Sequence, residues 1–303
     1  MPSTFSRVAH LAAAGAALTL AAWLSTPVAA QALTEEARRA DLAVYRSAFF
    51  ERDRAYAPAA RAEAERRLAA LEVRLADVDP TRFALELAQV AALADNGHTL
   101  SFGGPRLART NRVALRLAPF GQDFHVLRAR TAHAQLLGAR LRAIDGVPLA
   151  RLREAAHGLI GGPPAWRDRH APLLLESPQQ LHALGLIPAR DAASYRFETL
   201  DGRTVELRLV AEPPAADRPV ADTERLLLPD VIPPRTGDVD SGWRGLLAAD
   251  AAPWALREPS RAFRWRHLPE LDAMVVEMRQ TVPARDHTLK DFYAEVGDAL
   301  QRH

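Results

Sequence analysis

The residues best placed to do chemistry lie in the stretch Leu93–Phe102, which reads Leu-Ala-Asp-Asn-Gly-His-Thr-Leu-Ser-Phe. The pattern predicts a helix that ends at Ala94, and Gly97 suits the left-handed conformation that often follows a helix. His98 would then begin an extended segment. An imidazole held on such a turn can take up or release a proton near neutral pH, as a general acid or base must. The spacing indicates His98 as a candidate general base, with a merely solvated loop histidine as the alternative.

No other group of residues predicts a metal or cofactor site. His125 and His133 lie on predicted strands without an acidic partner at a fixed spacing, unlike the ligands of a typical zinc site. The run Gly161–Pro164 predicts the end of a helix rather than a phosphate-binding loop. The chain has no cysteine, which excludes disulfides and thiolate chemistry. We therefore expect neither a metal nor a cofactor.

Three amphipathic helices are predicted to carry the His98 turn. Apolar residues recur at helical spacing in Thr34–Tyr56 and again in Pro58–Ala76. The third helix begins at Asp79, an N-cap followed by a proline at the first helical position, and runs into the turn. Residues 33–97 are therefore expected to form a small helical bundle.

Beyond the turn the apolar period changes to two, which predicts strands. Val113–Leu117 and Phe124–Ala129 show this alternation, and Asp-Gly pairs at 145–146 and 201–202 predict tight hairpin turns between short apolar runs. Between these strands the pattern also predicts short helices. We expect residues 98–211 to form a β-rich domain with a helical insertion.

Two further segments follow. Residues 212–260 are rich in proline and predict a linker. Residues 261–303 predict a hairpin, whose second strand Asp272–Met278 is apolar enough to be buried, and then an amphipathic helix capped by Thr288. A buried strand followed by a helix is the first half of a βαβ unit, so we expect this segment to begin an α/β core whose next strand the sequence does not contain. The fold class expected for the whole chain is α+β.

The first 32 residues predict a secretory signal peptide. Arg7 supplies a positive charge, Val8–Leu24 is almost wholly apolar, and small residues at 28–32 suit a cleavage site. A transmembrane anchor is the competing interpretation, but the apolar run is short and no stop-transfer pattern follows. We expect a periplasmic or secreted protein with no membrane span after cleavage. The 39 basic and 37 acidic residues form no charged run, so nucleic-acid binding is not expected.

This order of elements resembles a known enzyme family. An export signal and a helical bundle precede the turn Asp95-Asn96-Gly97-His98-Thr99, and a PDZ-like run, Gly138–Gly146, precedes the closing 201–202 hairpin. The chain thus resembles the C-terminal-processing (tail-specific) serine peptidases, on their tricorn-core and retinoid-binding-protein-like side. The resemblance implies an endopeptidase whose PDZ-like domain captures extended or C-terminal peptide segments as an added strand. It also implies that His98 occupies the position of the tricorn-type general base.

The resemblance carries over only some site residues. Substrate contacts are expected around Leu136, Leu137, Gly138 and Leu141. The nucleophilic serine of this family lies in the core beyond the first βα unit, a part that the sequence does not contain. Ser241 and Ser260 lack the neighbouring glycines that are typical of a catalytic serine. Lys290 lies on the predicted last helix and is interpreted as a surface lysine. We therefore assign no nucleophile and expect the chain, as it stands, not to hydrolyse peptides.

Three interpretations remain open. The first is an exported peptidase-family protein, truncated and inactive as this chain. The second is a non-catalytic PDZ-like module that binds peptides or unfolded protein segments, which would plausibly end near Val210. The third is a poorly folding remnant. Because residues 261–303 would expose the apolar face of an unfinished core, we also expect self-association.

Overall fold

A computed structural model describes residues 34–101, 109–213, 242–247, 251–258, 261–281 and 287–302. It combines helices with antiparallel sheet and confirms the α+β class. The predicted signal peptide, most of the proline-rich linker, and Ser241 and Ser260 lie outside the described residues. Among the described residues, no helix has the length and apolar character needed to cross a membrane.

The N-terminal helices are α1 (Glu35–Val44), a π-helical turn (Tyr45–Phe49), α2 (Phe50–Arg52), α3 (Pro58–Val73) and α4 (Pro80–Ala92). Side-chain caps start two of them, because the Thr34 hydroxyl accepts the Ala37 N–H and the Asp79 carboxylate accepts the N–H groups of Thr81 and Arg82. These helices enclose a core of their own, built mainly from Leu42, Phe50, Leu68, Leu71, Leu75, Phe83 and Val90.

The first predicted helix, Thr34–Tyr56, is shorter and less regular than its pattern suggests. It passes through the π-helical turn and ends at Arg52, where Asp53 adopts an extended conformation. Tyr45 and Phe50 pack edge to face at 5.6 Å, so the local geometry follows aromatic packing rather than a continuous helical repeat.

The strands are β1 (Leu115–Phe120), β2 (Asp123–Arg130), β3 (Arg140–Ile144), β4 (Val147–Pro148), β5 (Ala192–Glu198), β6 (Thr204–Val210), β7 (Trp243–Gly245), β8 (Phe263–Leu268) and β9 (Ala273–Met278). The larger sheet has the order β1-β2-β3-β5-β6, with β4 beside β3 and β7 beside β2. Both predicted Asp-Gly hairpins are confirmed, at β3–β4 and at β5–β6.

Four helices lie between β4 and β5: α5 (Leu149–His157), α6 (Pro164–His170), α7 (Pro172–Leu175) and α8 (Pro178–Ala183). The Ser177 hydroxyl caps α8 by accepting the N–H of Gln180. These helices and one face of the sheet share the main core, in which the Tyr195 hydroxyl donates to the carbonyl of Leu175 at 2.8 Å.

The last elements are the β8–β9 hairpin and helix α9 (Leu289–Arg302). The Thr288 cap is confirmed, since its hydroxyl accepts the Asp291 N–H at 3.1 Å. Phe292 stacks on Phe263 with ring centroids 5.2 Å apart. The prediction that Asp272–Met278 is a buried strand is wrong, because every residue of β9 is at least partly exposed. A two-stranded sheet with one helix against it leaves much of its apolar surface uncovered.

Candidate functional site

The turn that bears His98 follows α4 without entering a strand. Residues 97–98 form a turn, residues 99–101 are not in a strand, and the first strand among the described residues, β1, begins at Leu115. The left-handed residue is Asp95, with φ 49°, rather than the predicted Gly97. Gly97 is required for a different reason: a Cβ atom there would lie 3.0 Å from Nε1 of Trp166, so the glycine lets the turn approach the indole ring.

The turn is held from two sides. Gly162 donates its N–H to Oδ1 of Asp95 at 3.1 Å, and the Arg167 guanidinium bonds the same oxygen. On the other side, the hydroxyl of Thr99 donates to Oδ2 of Asp53 at 2.7 Å. Gly161 is packed so closely that an added Cβ would lie 2.6 Å from the backbone nitrogen of residue 96. The sequence predicts only that Gly161–Pro164 ends a helix. In the structure, its two glycines also hold the turn that bears His98.

His98 itself is exposed on this clamped turn. Its backbone N–H donates to Oδ1 of Asn96 at 2.9 Å. Its imidazole makes no hydrogen bond to any residue that the structure describes. The backbone of His98 is thus well positioned, while no described group orients the ring, and its role as a general base stays a prediction.

A second histidine lies in the cleft beside the turn. The cleft is lined by Asp95, His157, Gly162, Pro163, Pro164 and Arg167. His157, the last residue of α5, places Nε2 2.7 Å from Oδ1 of Asp168, which is buried on α6. His98 is not among the lining residues. The sequence analysis missed His157, because the pair joins two separate helices and follows no motif spacing.

The carboxylate of Asp168 is bonded by both Arg153 and His157. Arg153 donates to both of its oxygens, with 2.6 Å from Nε to Oδ1. Burial alone would raise the pKa of Asp168, but hydrogen bonds from Arg153 and His157 hold that pKa below its ordinary value. The ionised carboxylate fixes the orientation of the imidazole. Nδ1 of His157 makes no bond within the described chain, so it is the nitrogen available to exchange a proton.

The structure pairs none of the described serines with a histidine. Ser47 donates to the carbonyl of Ala43 at 2.9 Å, and Ser177 bonds Asn111. Ser101 lines a small cavity together with His170, without a hydrogen bond between them. Ser194 donates its backbone N–H to Oδ1 of Asp145 at 2.7 Å, and its hydroxyl is not bonded to any histidine that the structure describes. Within these ranges, no serine is activated by a histidine in the way that nucleophilic catalysis requires.

Of the predicted substrate contacts, Leu136, Leu137 and Gly138 lie between β2 and β3, and Leu141 is the second residue of β3. The side chains of Leu136 and Leu141 are completely buried in the main core, and only Leu137 is partly exposed. Leu200 lies over Gly138, 2.8 Å from where a Cβ would stand. The N–H groups of residues 137, 138 and 139 are all bonded to carbonyls of the chain. A terminal carboxylate would find none of these three donors free.

The two ends of the larger sheet differ. At β1, the buried Glu176 carboxylate accepts the N–H of Leu117 at 2.7 Å, and the Glu176 carbonyl accepts that of Val113 at 2.8 Å. Arg112 and Arg116 neutralise that carboxylate. Strand β6 at the other end pairs only with β5 in the described part of the chain. Glu176 thus occupies two backbone N–H groups at the β1 end. In the described part of the chain the β6 edge is open over Thr204–Val210, and just beyond it Glu212 exchanges two backbone hydrogen bonds with Arg112, at 2.7 and 3.1 Å.

No protein-family model matches the chain, and no curated protein matches it. Solved structures of CPAF, a chlamydial serine protease, do match. Mature CPAF complexed with lactacystin is 16% identical, with a TM-score of 0.35 over 48% of this chain and 28% of that one. A CPAF mutant is 13% identical, with a TM-score of 0.39 over 59% and 33%. The chain spans about a third of the length of these structures.

Proposed function

We propose that this chain is an exported protein of the serine-peptidase type, periplasmic or secreted, that captures extended or C-terminal peptide segments. The proposal rests on the resemblance carried by the sequence and on the open edge of β6. We also propose that the described residues bind peptide without cleaving it, because none of their serines is paired with a histidine.

The observation that carries the proposal is the direction of the free backbone groups on β6. Thr199 donates to the Arg203 carbonyl and Ala211 to that of Asp191, which fixes which pairs of the β5–β6 ladder are hydrogen-bonded. Bonded pairs recur at every second residue of an antiparallel ladder. The groups that point away from β5 are therefore those of Thr204, Glu206, Arg208 and Val210. An extended peptide can add to these groups as a further strand.

The cleft gives the same protein a place to move a proton. In acyl transfer a histidine takes the proton of the nucleophile and later returns it to the leaving amine. His157 is oriented by its bond to Asp168, and Asp95, on the turn that bears His98, lines the same cleft. We propose the cleft as the proton-handling side of the site, with no nucleophile assigned.

A non-catalytic PDZ-like binding module is the alternative. It is favoured by the hydrogen bonding around Glu176 and by the shared core, which make residues 109–213 a well-packed unit whose β6 edge is open over Thr204–Val210. Limited proteolysis discriminates between the two. A stable fragment that ends near Glu212 and still binds peptide supports the module, whereas loss of binding with the C-terminal segment supports the peptidase type.

The test is the binding of a labelled unstructured peptide, followed by fluorescence anisotropy, to the chain without residues 1–32. We expect Arg208→Pro to abolish binding, since proline removes an outward N–H that β5 does not use. Arg208→Ala should bind nearly as well as the parent. A matched peptide with alternate N-methylated residues should fail to bind.

Two results would contradict strand addition at β6. One is equal loss of binding in Arg208→Pro and Arg208→Ala, which would assign the contact to the side chain. The other is undiminished binding of the N-methylated peptide, because that peptide cannot form the added ladder.

A further inference from the structure

The outer edge of β9 presents an unbroken set of free backbone groups. The Arg279 N–H donates to the Ala262 carbonyl at 2.9 Å, next to the register pair Phe263–Met278. Because bonded pairs alternate along an antiparallel ladder, the residues of β9 that point away from β8 are Met274, Val276 and Met278. Within the described residues, no strand or loop pairs with these groups.

This edge differs in composition from the other two. Near β1, the Glu176 carboxylate occupies the N–H of Leu117, and the β6 edge carries the charged residues Glu206 and Arg208. The β9 edge carries methionine, valine and methionine. The one charged residue of β9, Glu277, is neutralised by ion pairs with Arg264 and Arg279.

An apolar surface extends from this edge onto α9. Val276 is 43% exposed and Met278 38% exposed on the strand, while Tyr293 is 57% and Leu300 61% exposed on the helix. The Tyr293 hydroxyl lies 3.6 Å from the Met278 sulfur, so strand and helix contribute to one surface. Tyr293 and Leu300 are seven positions apart and share one face of the helix.

We propose that a second copy of this chain binds here, by antiparallel pairing of β9 with β9 across a two-fold axis at Val276. In that register Val276 pairs with Val276 of the second copy, and Met274 pairs with Met278 of the second copy. All outward groups of both strands are then bonded, and no like charges face each other. An edge that is its own complement is what a two-fold interface requires. The proposal goes beyond peptide capture and does not depend on it.

The first test is the molar mass of the chain in solution, from light scattering during gel filtration across a range of concentrations. We expect a dimer for the parent chain and a monomer for Val276→Lys, because two lysines would meet at the axis. The matched control is Val73→Lys, at a position 90% exposed on α3, which should remain a dimer. A parent chain that stays monomeric at every concentration would overturn the proposal, and so would a dimer that Val276→Lys leaves intact.

The second test uses the absence of natural cysteine. In a hydrogen-bonded antiparallel pair the two Cα atoms lie about 5.5 Å apart, a separation that a disulfide can span. Val276→Cys should therefore form a covalent dimer in oxidised glutathione, which accepts the electrons of the two thiols. Val73→Cys should not. Equal crosslinking of the two variants, or none in Val276→Cys, would contradict pairing at this axis.

Discussion

Gly161 provides the sharpest test of how the His98 turn is held. A Cβ atom at this position would lie 2.6 Å from the backbone nitrogen of residue 96, 2.9 Å from the Cα of Asp95 and 3.0 Å from its carbonyl carbon. All three are backbone atoms, which cannot move aside as a flexible side chain can. Gly161→Ala must therefore displace the turn or the start of α6.

The size of the effect follows from the kind of atoms that clash. Forcing an extra methyl group into a packed site costs about 1–3 kcal/mol. For a chain of this size, each kcal/mol lowers the melting temperature by roughly 2–4 °C, so we expect a loss of roughly 2–12 °C. The displaced turn should also lose the hydrogen bond from the Gly162 N–H to Asp95.

Gly297→Ala is the matched control. Gly297 lies on the exposed side of α9, and a Cβ atom there would meet nothing within 4 Å. Alanine is favoured over glycine inside a helix by about 0.5–1 kcal/mol, so this variant should be more stable than the parent. The same chemical change is thus expected to have opposite signs at the two sites.

The test is urea unfolding of the parent, Gly161→Ala and Gly297→Ala, with thermal unfolding as a second measure of stability. A Gly161→Ala variant as stable as the parent, beside a stabilised Gly297→Ala, would show that the turn yields without cost. The clamp on His98 would then be refuted.

Three further predictions concern buried or partly buried side chains that can ionise: Glu176, Asp168 and Tyr56. Glu176→Gln should lower the free energy of unfolding by about 3–5 kcal/mol in urea, because it leaves the guanidiniums of Arg112 and Arg116 without their buried anion. Asp168 has a pKa lowered in the folded state, so its contribution to stability is present above its ordinary pKa and lost as the pH falls through the folded value. The difference in unfolding free energy between the parent and Asp168→Asn should therefore shrink below about pH 4, and a constant difference would contradict the pairing. Burial raises the pKa of Tyr56 to about 12, so the neutral phenol stabilises the fold and that stability is lost as the pH rises from the ordinary pKa toward 12. Tyr56→Phe should lose less stability over that alkaline range, as measured by urea unfolding at each pH.

Local chemistry is the part of the fold that the sequence predicts well. The caps at Asp79 and Thr288 involve bonds over two or three residues, so their patterns are visible along the chain. The Asp-Gly turns are equally local, and Gly202 has the positive φ of 83° that such a turn requires.

The candidate site depends on contacts that leave no local pattern. Gly161 meets the turn after Asp95, and His157 meets Asp168 across two helices. Glu176 closes β1 from a loop about sixty residues away along the chain. Nothing in the periodicity of these segments distinguishes such residues from a helix stop or a surface charge.

The prediction of burial for β9 failed for a related reason. Its apolar composition is typical of a core strand, but burial depends on which elements cover the strand. Here α9 covers only part of the hairpin, and Val276 and Met278 remain exposed. The same mismatch between composition and exposure is what favours the two-fold pairing proposed above.

The most direct test of peptide capture is hydrogen exchange resolved at single amides of β6, with and without a bound unstructured peptide. Strand addition predicts slower exchange at the outward amides of Thr204, Glu206 and Arg208, and little change at Val205 and Leu207, which already bond to β5. Unchanged exchange along β6, or protection confined to the cleft residues, would contradict the proposed mode of binding.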